Sequence, residues 1–365
     1  MNDANWFEVN NHDQVLSPAL LFYPERIRRN IREMVRIAGL PNRLRPHVKT
    51  YKCPEIVKMQ MEAGITRFKC STLAEAVMLG RSKAPDVLVA YPLAGPNQDA
   101  LLHIIKKFPE TTFSTLVDHP NQAAQWKSKL EEPLRVYIDL DVGMHRTGIK
   151  PELANELVDL LVEEPFNLAG FHAYDGHIRD TDINQRIKSV EKSFSPAEQF
   201  MKEFTEPKEF ITGGSITFPI HASYPGRELS PGTTLLWDQG YGESFLDLNF
   251  DIAATLLTRI ISKPGDDLIC LDLGYKAVAS EMKDHPPVWF PQLHEAELAG
   301  HSEEHLVLKT SDANNLMPGD VLYGLPWHIC PTVAMHEKAG IVNNHTVTEF
   351  WEIASRERIY STESI

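Results

Sequence analysis

The stretch "LRVYIDLDVGMHRTGIKPELANELVDLLVEE", Leu134 to Glu164, decides the fold. A strand-like run ending in Asp141–Gly143 passes through a loop into a helical run. The same pairing recurs on both sides of it. Downstream, "FNLAGFHAYDGH" (166–177) is followed by the long helical stretch "INQRIKSVEKSFSPAEQFMKEF" (183–204). Upstream, "LRPHVKT" (44–50), "RFKCS" (67–71), "DVLVAYPL" (86–93) and "TTFSTLVD" (111–118) each precede a helical segment. Thr72 and Glu75 open one of these as a capping box. Two further strand candidates, "EFITGG" (209–214) and "GTTLLWDQG" (232–240), follow. Strands alternating with helices imply parallel pairing through right-handed crossovers. Eight of them in about 230 residues fit a (β/α)8 TIM-type barrel, expected over residues 17–245. The connector "FPIHASYPGR" (218–227) is too short and proline-rich for a full helix.

From about residue 248 the texture changes. "FDIAATLLTRIIS", "DLICLDLGYKAVAS", "LAGHSEEHLVLKT" and "GDVLYGLPWHICPTVAMHEKAGIV" are strand-like runs broken by Pro, Gly, Asp and Asn. They predict a C-terminal, mainly β domain over 246–365, joined by part of 1–16.

The bulk numbers suit a globular protein: 365 residues, 42% hydrophobic and 24% charged. A net charge of -14 argues against a general nucleic-acid or anionic-membrane binder. No apolar run reaches transmembrane length, and "MNDANWFEVNNHD" is no secretory signal. Four scattered cysteines, Cys53, Cys70, Cys270 and Cys330, fit a reducing cytosol. The expected location is therefore cytoplasmic.

In a barrel the chemistry sits at the C-terminal strand ends. There the sequence places Lys49; Asp141, His145 and Arg146; His172, Tyr174, Asp175 and His177; Gly213, Gly214 and Ser215; and Asp238, Gly240 and Tyr241. "TGGSIT" after the seventh strand reads either as a plain Gly-Gly turn or as a phosphate loop offering backbone N–H groups. "RPHVKTYK" (45–52) reads either as a basic surface turn or as the seat of a covalent lysine. Desolvation and neighbouring cations in a barrel mouth would make Lys49 a nucleophilic amine toward aldehydes. With a phosphate loop across the same mouth, the aldehyde would be pyridoxal phosphate.

"PWHIC" adds His328 and Cys330, two residues apart. In an extended segment they would point to one side and could share a metal ion such as zinc. The bland alternative is a strand with a buried cysteine. His301 and His305 read as surface residues, and Cys53, Cys70 and Cys270 as structural.

These motifs together resemble the D-threonine aldolase and D-serine dehydratase group, relatives of alanine racemase. "RPHVKTYK" is similar to its pyridoxal-lysine motif, "YIDLDVGMHRTGI" to its "DxGMxRxG" segment, and "FHAYDGH" to its strand-6 segment. "TGGSIT", "SPGTTLLWDQGY", "LDLGYKAVASE" and "PWHICPTV" match the remaining segments in order, so the resemblance spans nearly the whole chain. It implies that Lys49 rather than Lys52 carries pyridoxal phosphate. Arg146 would lie near the cofactor's phenolic oxygen, and His172 or Tyr174 against its ring. Gly213, Gly214, Ser215 and Tyr241 would hold its phosphate. His328 and Cys330 would bind a divalent metal, zinc or manganese. The substrate would be a small D-β-hydroxy-amino acid, cleaved by an aldolase or dehydrated, in a homodimer. A racemase and a non-catalytic cofactor carrier are the more distant alternatives. Two departures stand out: Ser230 occupies the place where alanine racemases carry an arginine, and Tyr51 a place where the group often has histidine.

Overall fold

The computed structural model describes residues 5–204, 208–281 and 285–365. The chain divides into two compact units. One comprises Arg32–Lys49, Val57–Gly232 and Glu357–Ile365; the other comprises Met1–Ile31, Thr50–Ile56 and Thr233–Arg356.

In chain order, Ala19–Phe22 (β1) comes first and belongs to the second unit. The first unit carries Arg67–Cys70 (β2), Asp86–Pro92 (β3), Thr112–Val117 (β4), Leu134–Leu140 (β5), Phe166–Ala173 (β6), Glu209–Thr212 (β7) and Arg227–Leu229 (β8). These seven strands pair in sequence order, all parallel. Helices such as Leu73–Arg81 and Ile183–Met201 provide the crossovers. Thr72 and Glu75 do form a reciprocal capping box on the first of these.

The stave that brings the number to eight, and the first of them in chain order, is the segment around Pro46. Leu44 bridges to Leu229 and His47 to Lys69, both in parallel sense. Arg45 N–H donates to the Leu229 carbonyl (2.8 Å) and Lys69 N–H to the Pro46 carbonyl (2.9 Å). Pro46 has no N–H to give, so the ladder is reduced to single bridges instead of the expected continuous strand.

The last strand also differs from expectation. Residues 232–240 are not a strand: Thr233–Leu235 form a 3-10 turn and Gln239–Ser244 a short helix. The pairing strand is β8, which ends ahead of Pro231 because a proline and a glycine close the ladder there. The connector before it holds only the one-turn helix Phe218–Ala222, with Pro219 in its first turn, where the missing N–H costs nothing.

Side chains two apart on a strand share a face. At the N-terminal ends of the strands, inward positions are charged: Arg67, Asp86, Arg135, Glu209 and Glu228, with Arg45 from the first stave. Arg45 is fully buried and pairs with both Glu228 and Asp86. Arg67 meets Glu228 at 2.9 Å; Arg135 meets Asp86 at 2.7 Å and Glu209 at 2.8 Å. Three guanidinium groups balance three carboxylates. Burial opposes charge on Arg45, yet Glu228 and Asp86 hold its affinity for the proton above the ordinary value. Two residues further on, Leu88, Tyr137 and Ile211 join Leu116 in an apolar plug.

The second unit is mainly β. After β1 it adds Ala254–Gly265 (β9), Leu268–Leu271 (β10), Val288–Trp289 (β11), Glu297–His301 (β12), Leu306–Lys309 (β13), Val321–Pro326 (β14), Lys338–Asn343 (β15) and Thr346–Glu352 (β16). The main path runs β12-β13-β10-β9-β1-β15-β16, with β14 also on β9 and β11 on β14. β1 pairs antiparallel with β9 and parallel with β15. Residues expected at the start of the barrel thus join this sheet instead. Leu21 of β1 is buried with Phe7, Val9, Leu257 and Tyr323, a contact set that only this sheet supplies. Among the described residues no helix is long and apolar enough to cross a membrane.

Candidate active site

Lys49 lies in the 3-10 turn Val48–Thr50, just past the first stave, and is half-buried. Its N–H donates to His47 Nδ1 at 3.2 Å. Its Nζ stands 5.7 Å from the centre of the Tyr174 ring. Two more cations face the same ring: Lys69 Nζ at 5.8 Å and Arg146 Cζ at 5.1 Å. Lys52 takes another direction. It has a left-handed φ of 52°, and its Nζ donates to the Ser355 carbonyl at 3.4 Å, within the β unit.

Lys69 escaped the sequence reading. It is buried on β2, and its Nζ is 3.4 Å from His172 Nε2. Burial first, then the charge of Lys49, press its pKa down to about 7 despite Asp139 and Asp175. His172 Nδ1 lies 2.6 Å from Asp139 Oδ1. The buried carboxylate therefore accepts a hydrogen bond from Nδ1–H, and Nε2 is left to accept from Lys69. Burial and then Lys69 hold the His172 pKa below its ordinary value. Asp139 also accepts from Thr147 Oγ1 at 2.8 Å.

Arg146 is placed by a compact loop after β5. Asp141 Oδ1 accepts the N–H groups of Gly143 (2.9 Å) and His145 (3.0 Å), and its other oxygen meets His145 Nδ1 (2.7 Å). Gly148, at φ +103°, closes the loop; a Cβ there would lie 2.6 Å from the Asp141 nitrogen. His145 and Asp141 thus satisfy each other. His177 lies 3.3 Å from Ser193 Oγ, on the side of this loop that faces the helix Ile183–Met201.

The glycine loop meets the same tyrosine. A Cβ on Gly214 would come 3.1 Å from the Tyr174 ring, and one on Gly176 2.4 Å, so bare backbone flanks the ring. Gly213 has φ +80°. Gly214 N–H donates to Thr217 Oγ1 (3.0 Å), which donates to Asp175 Oδ1 (2.9 Å); Asp175 Oδ2 meets His221 Nε2 (2.8 Å). Ser215 Oγ accepts from Gly232 N–H at 3.1 Å, tying the loops after β7 and β8. Ser230 Oγ donates to the Arg45 carbonyl at 3.0 Å, so that position offers no cation.

Three cations around one ring repel one another, and cation–π contacts of about 1 kcal/mol each offset little of that. A donor set of this kind suits a compact polyanion with an aromatic plane. Pyridoxal phosphate, with its phosphate and phenolic oxygen, fits it.

In the β unit, Tyr241 sits in the short helix Gln239–Ser244, with its N–H held by Asp238 Oδ1 (2.9 Å) and its ring against Trp237 and Phe245. It is not at a strand end as expected. His328 and Cys330 are not on a strand either. Cys330-Pro331 belongs to the first turn of the helix Ile329–Met335, where proline is tolerated, and His328 is its N-cap. The two side chains nevertheless meet. The Cys330 contact is the main cause lifting the His328 pKa to about 9, with Glu281 adding to it against burial. Glu281 Oε1 is 2.6 Å from His328 Nδ1. Thr50 and Thr233 hydroxyls lie 3.2 and 3.4 Å from Cys330 Sγ. Among the described residues no three His, Cys, Asp or Glu gather as a metal cage. An imidazole backed by a carboxylate, beside a sulfur, fits a divalent metal whose other positions go to water or substrate. Lys69, Asp139 and Glu281 were all missed. Lys69 had one signal, its inward parity two residues after Arg67.

The family model for the alanine racemase N-terminal domain matches residues 24–238. The chain belongs to this family. It is a family of pyridoxal phosphate enzymes. A second model, a serine dehydratase domain, matches residues 253–342. A D-threonine aldolase of Arthrobacter sp is 28% identical over 333 residues, covering 86% of this chain and 85% of that one. A 3-hydroxy-D-aspartate aldolase of Paracoccus denitrificans (strain Pd 1222) is 25% identical, covering 96% and 94%. The crystal structure of D-threonine aldolase from Filomicrobium marinum superimposes with a TM-score of 0.84 at 22% identity, over 94% of this chain and 95% of that one. That likeness establishes the fold. The resemblance read from the motifs, and the barrel followed by a mainly β domain, are both borne out.

Proposed function

We propose that this alanine racemase-family chain is a pyridoxal phosphate- and divalent metal-dependent lyase. It acts on D-β-hydroxy-amino acids by retro-aldol cleavage to glycine and an aldehyde. The observation that carries this reading is the trio Lys49, Lys69 and Arg146 around Tyr174 beside a glycine loop, in a chain whose relatives are D-amino-acid aldolases.

Lys49 holds the cofactor through its amine. Gly213, Gly214, Ser215 and Tyr241 hold its phosphate, His172 and Tyr174 flank its ring, and Arg146 faces its phenolic oxygen. Bound there, pyridoxal phosphate supplies an electron sink for the bond pair released at the substrate Cα. His328 and Cys330 hold the metal, zinc or manganese, which supplies Lewis acidity toward the β-hydroxyl. Glu281 fixes the imidazole through Nδ1, leaving Nε2 for the ion. The active form is a homodimer, and the compartment is the reducing cytosol.

A second reading, dehydration to a keto acid and ammonia, draws on the His-x-Cys pair and the serine dehydratase domain match. In that case Lys49 takes the Cα proton. Product analysis with D-threonine separates the two: acetaldehyde and glycine for the aldolase, 2-oxobutyrate and ammonia for the dehydratase. The pure protein should carry a visible absorbance band that Lys49→Ala abolishes. A band that survives that substitution rejects the lysine assignment, and turnover unaffected by a chelator rejects the metal.

A further inference from the structure

Lys69 belongs to the trio around Tyr174 but has no chemical role in the scheme above, although it is buried and its pKa is pressed well below the ordinary lysine value. It is one end of a hydrogen-bonded chain, Asp139 to His172 to Lys69, whose inner members are all buried. Asp139 fixes the His172 tautomer and His172 fixes the Lys69 amine, an acid–imidazole–nucleophile order with an amine at the working end. Burying a lysine beside Lys49 and Arg45 is costly unless its proton can leave. Asp139 and Asp175 draw the proton back. The balance leaves an amine that exchanges its proton near neutrality, close to Lys49.

A D-amino acid arrives as an ammonium ion, which has no lone pair. Some group must take its proton before its nitrogen can react. The other candidates are engaged. Lys49 is committed to the cofactor, and the Arg146 guanidinium has no acceptor atom to offer. His172 spends both ring nitrogens on Asp139 and Lys69, and His145 is paired with Asp141. We propose that Lys69 is the proton acceptor for the substrate amino group, with Asp139 and His172 as its positioning residues. One N–H bond of the substrate ammonium breaks and one forms at Lys69 Nζ. The substrate becomes a neutral amine and Lys69 an ammonium ion, with Asp139 and Asp175 facing the new charge. The inference rests on the pyridoxal phosphate reading.

The test follows the visible band of the holoprotein by stopped flow after mixing with D-alanine, which has no β-hydroxyl to cleave. With Lys69 as acceptor, the wild type uses the abundant ammonium form. Its second-order rate is then level between about pH 7 and 8.5 and falls about tenfold per unit below 7. Lys69→Gln must take free amine from solution, so its rate climbs about tenfold per pH unit across that range, from a value at pH 7 about 10²-fold below wild type. Lys69→Met should match Lys69→Gln, and the band itself reports that each variant is folded and loaded. A wild-type rate that climbs through pH 7 to 8.5, or a variant that keeps the plateau, overturns the assignment. Absence of any Lys49-dependent band overturns the cofactor reading itself, and this inference falls with it.

Discussion

Replacing Lys69 with methionine should make the apoprotein more stable at neutral pH. The Lys69 pKa falls from 10.5 in the unfolded chain to about 7 in the fold. The unfolded state therefore binds more protons between those two values, and wild-type stability rises with pH across that window. At about 1.4 kcal/mol per unit, the penalty for burying this amine is roughly 4 kcal/mol at pH 7 and shrinks to nothing near 10.5. Solvent screening takes little from it, because the side chain is 3% exposed. Methionine removes the penalty but also takes the donor from His172 Nε2, at a cost of about 2 kcal/mol that does not change with pH. The net expectation is a gain of about 2 kcal/mol at pH 7, a crossover near pH 9, and a loss above it. For a chain of this length that is about 2–3 °C in Tm at neutral pH. Calorimetry of the apoprotein at pH 7, 8, 9 and 10 checks it. A wild type that is the more stable at pH 7, or a gap that ignores pH, refutes the reasoning.

Arg45→Met leaves Glu228 and Asp86 without their buried guanidinium and should cost about 3–5 kcal/mol in urea unfolding, far more than Lys106→Met, whose Glu131 pair is exposed. Cys330→Ser removes the sulfur held by Thr50 and Thr233, and should strip bound metal, measured by elemental analysis, while the visible cofactor band persists.

What the sequence made legible follows from periodicity and from chemistry that is rare by type. The strand–helix alternation survived because the crossover helices carry apolar spacing and, at Thr72, His119 and Asp182, side-chain N-caps. Lys49 and the His328–Cys330 pair stood out because few functions need them. The errors fall where neither signal operates. Leu44–His47 is a stave held by single bridges around a proline. β8 is three residues long, too short to show a period, while the apolar Leu235–Trp237 run beside it looked more strand-like and folds instead as a turn. Residues 17–22 fell inside the expected barrel bounds because nothing in so short an apolar run announces which sheet will take it.

Lys69 was hidden for a different reason. A charged residue in a short strand ordinarily means an outward face, and only register shows otherwise. With register known, the pattern is plain. The charged positions that open β2, β3, β5, β7 and β8 face inward and balance Arg45, so a lysine two residues after Arg67 must face inward too. The ion network at one end of the barrel therefore carries information about the other. Its charges neutralise one another, three against three. Lys69, Lys49 and Arg146 at the opposite end do not have that balance, since Asp139 is shared with His172 and Asp175 with His221. Charges matched at one barrel end, and Lys49, Lys69 and Arg146 gathered around one ring at the other, support the proposal that an anionic cofactor binds there.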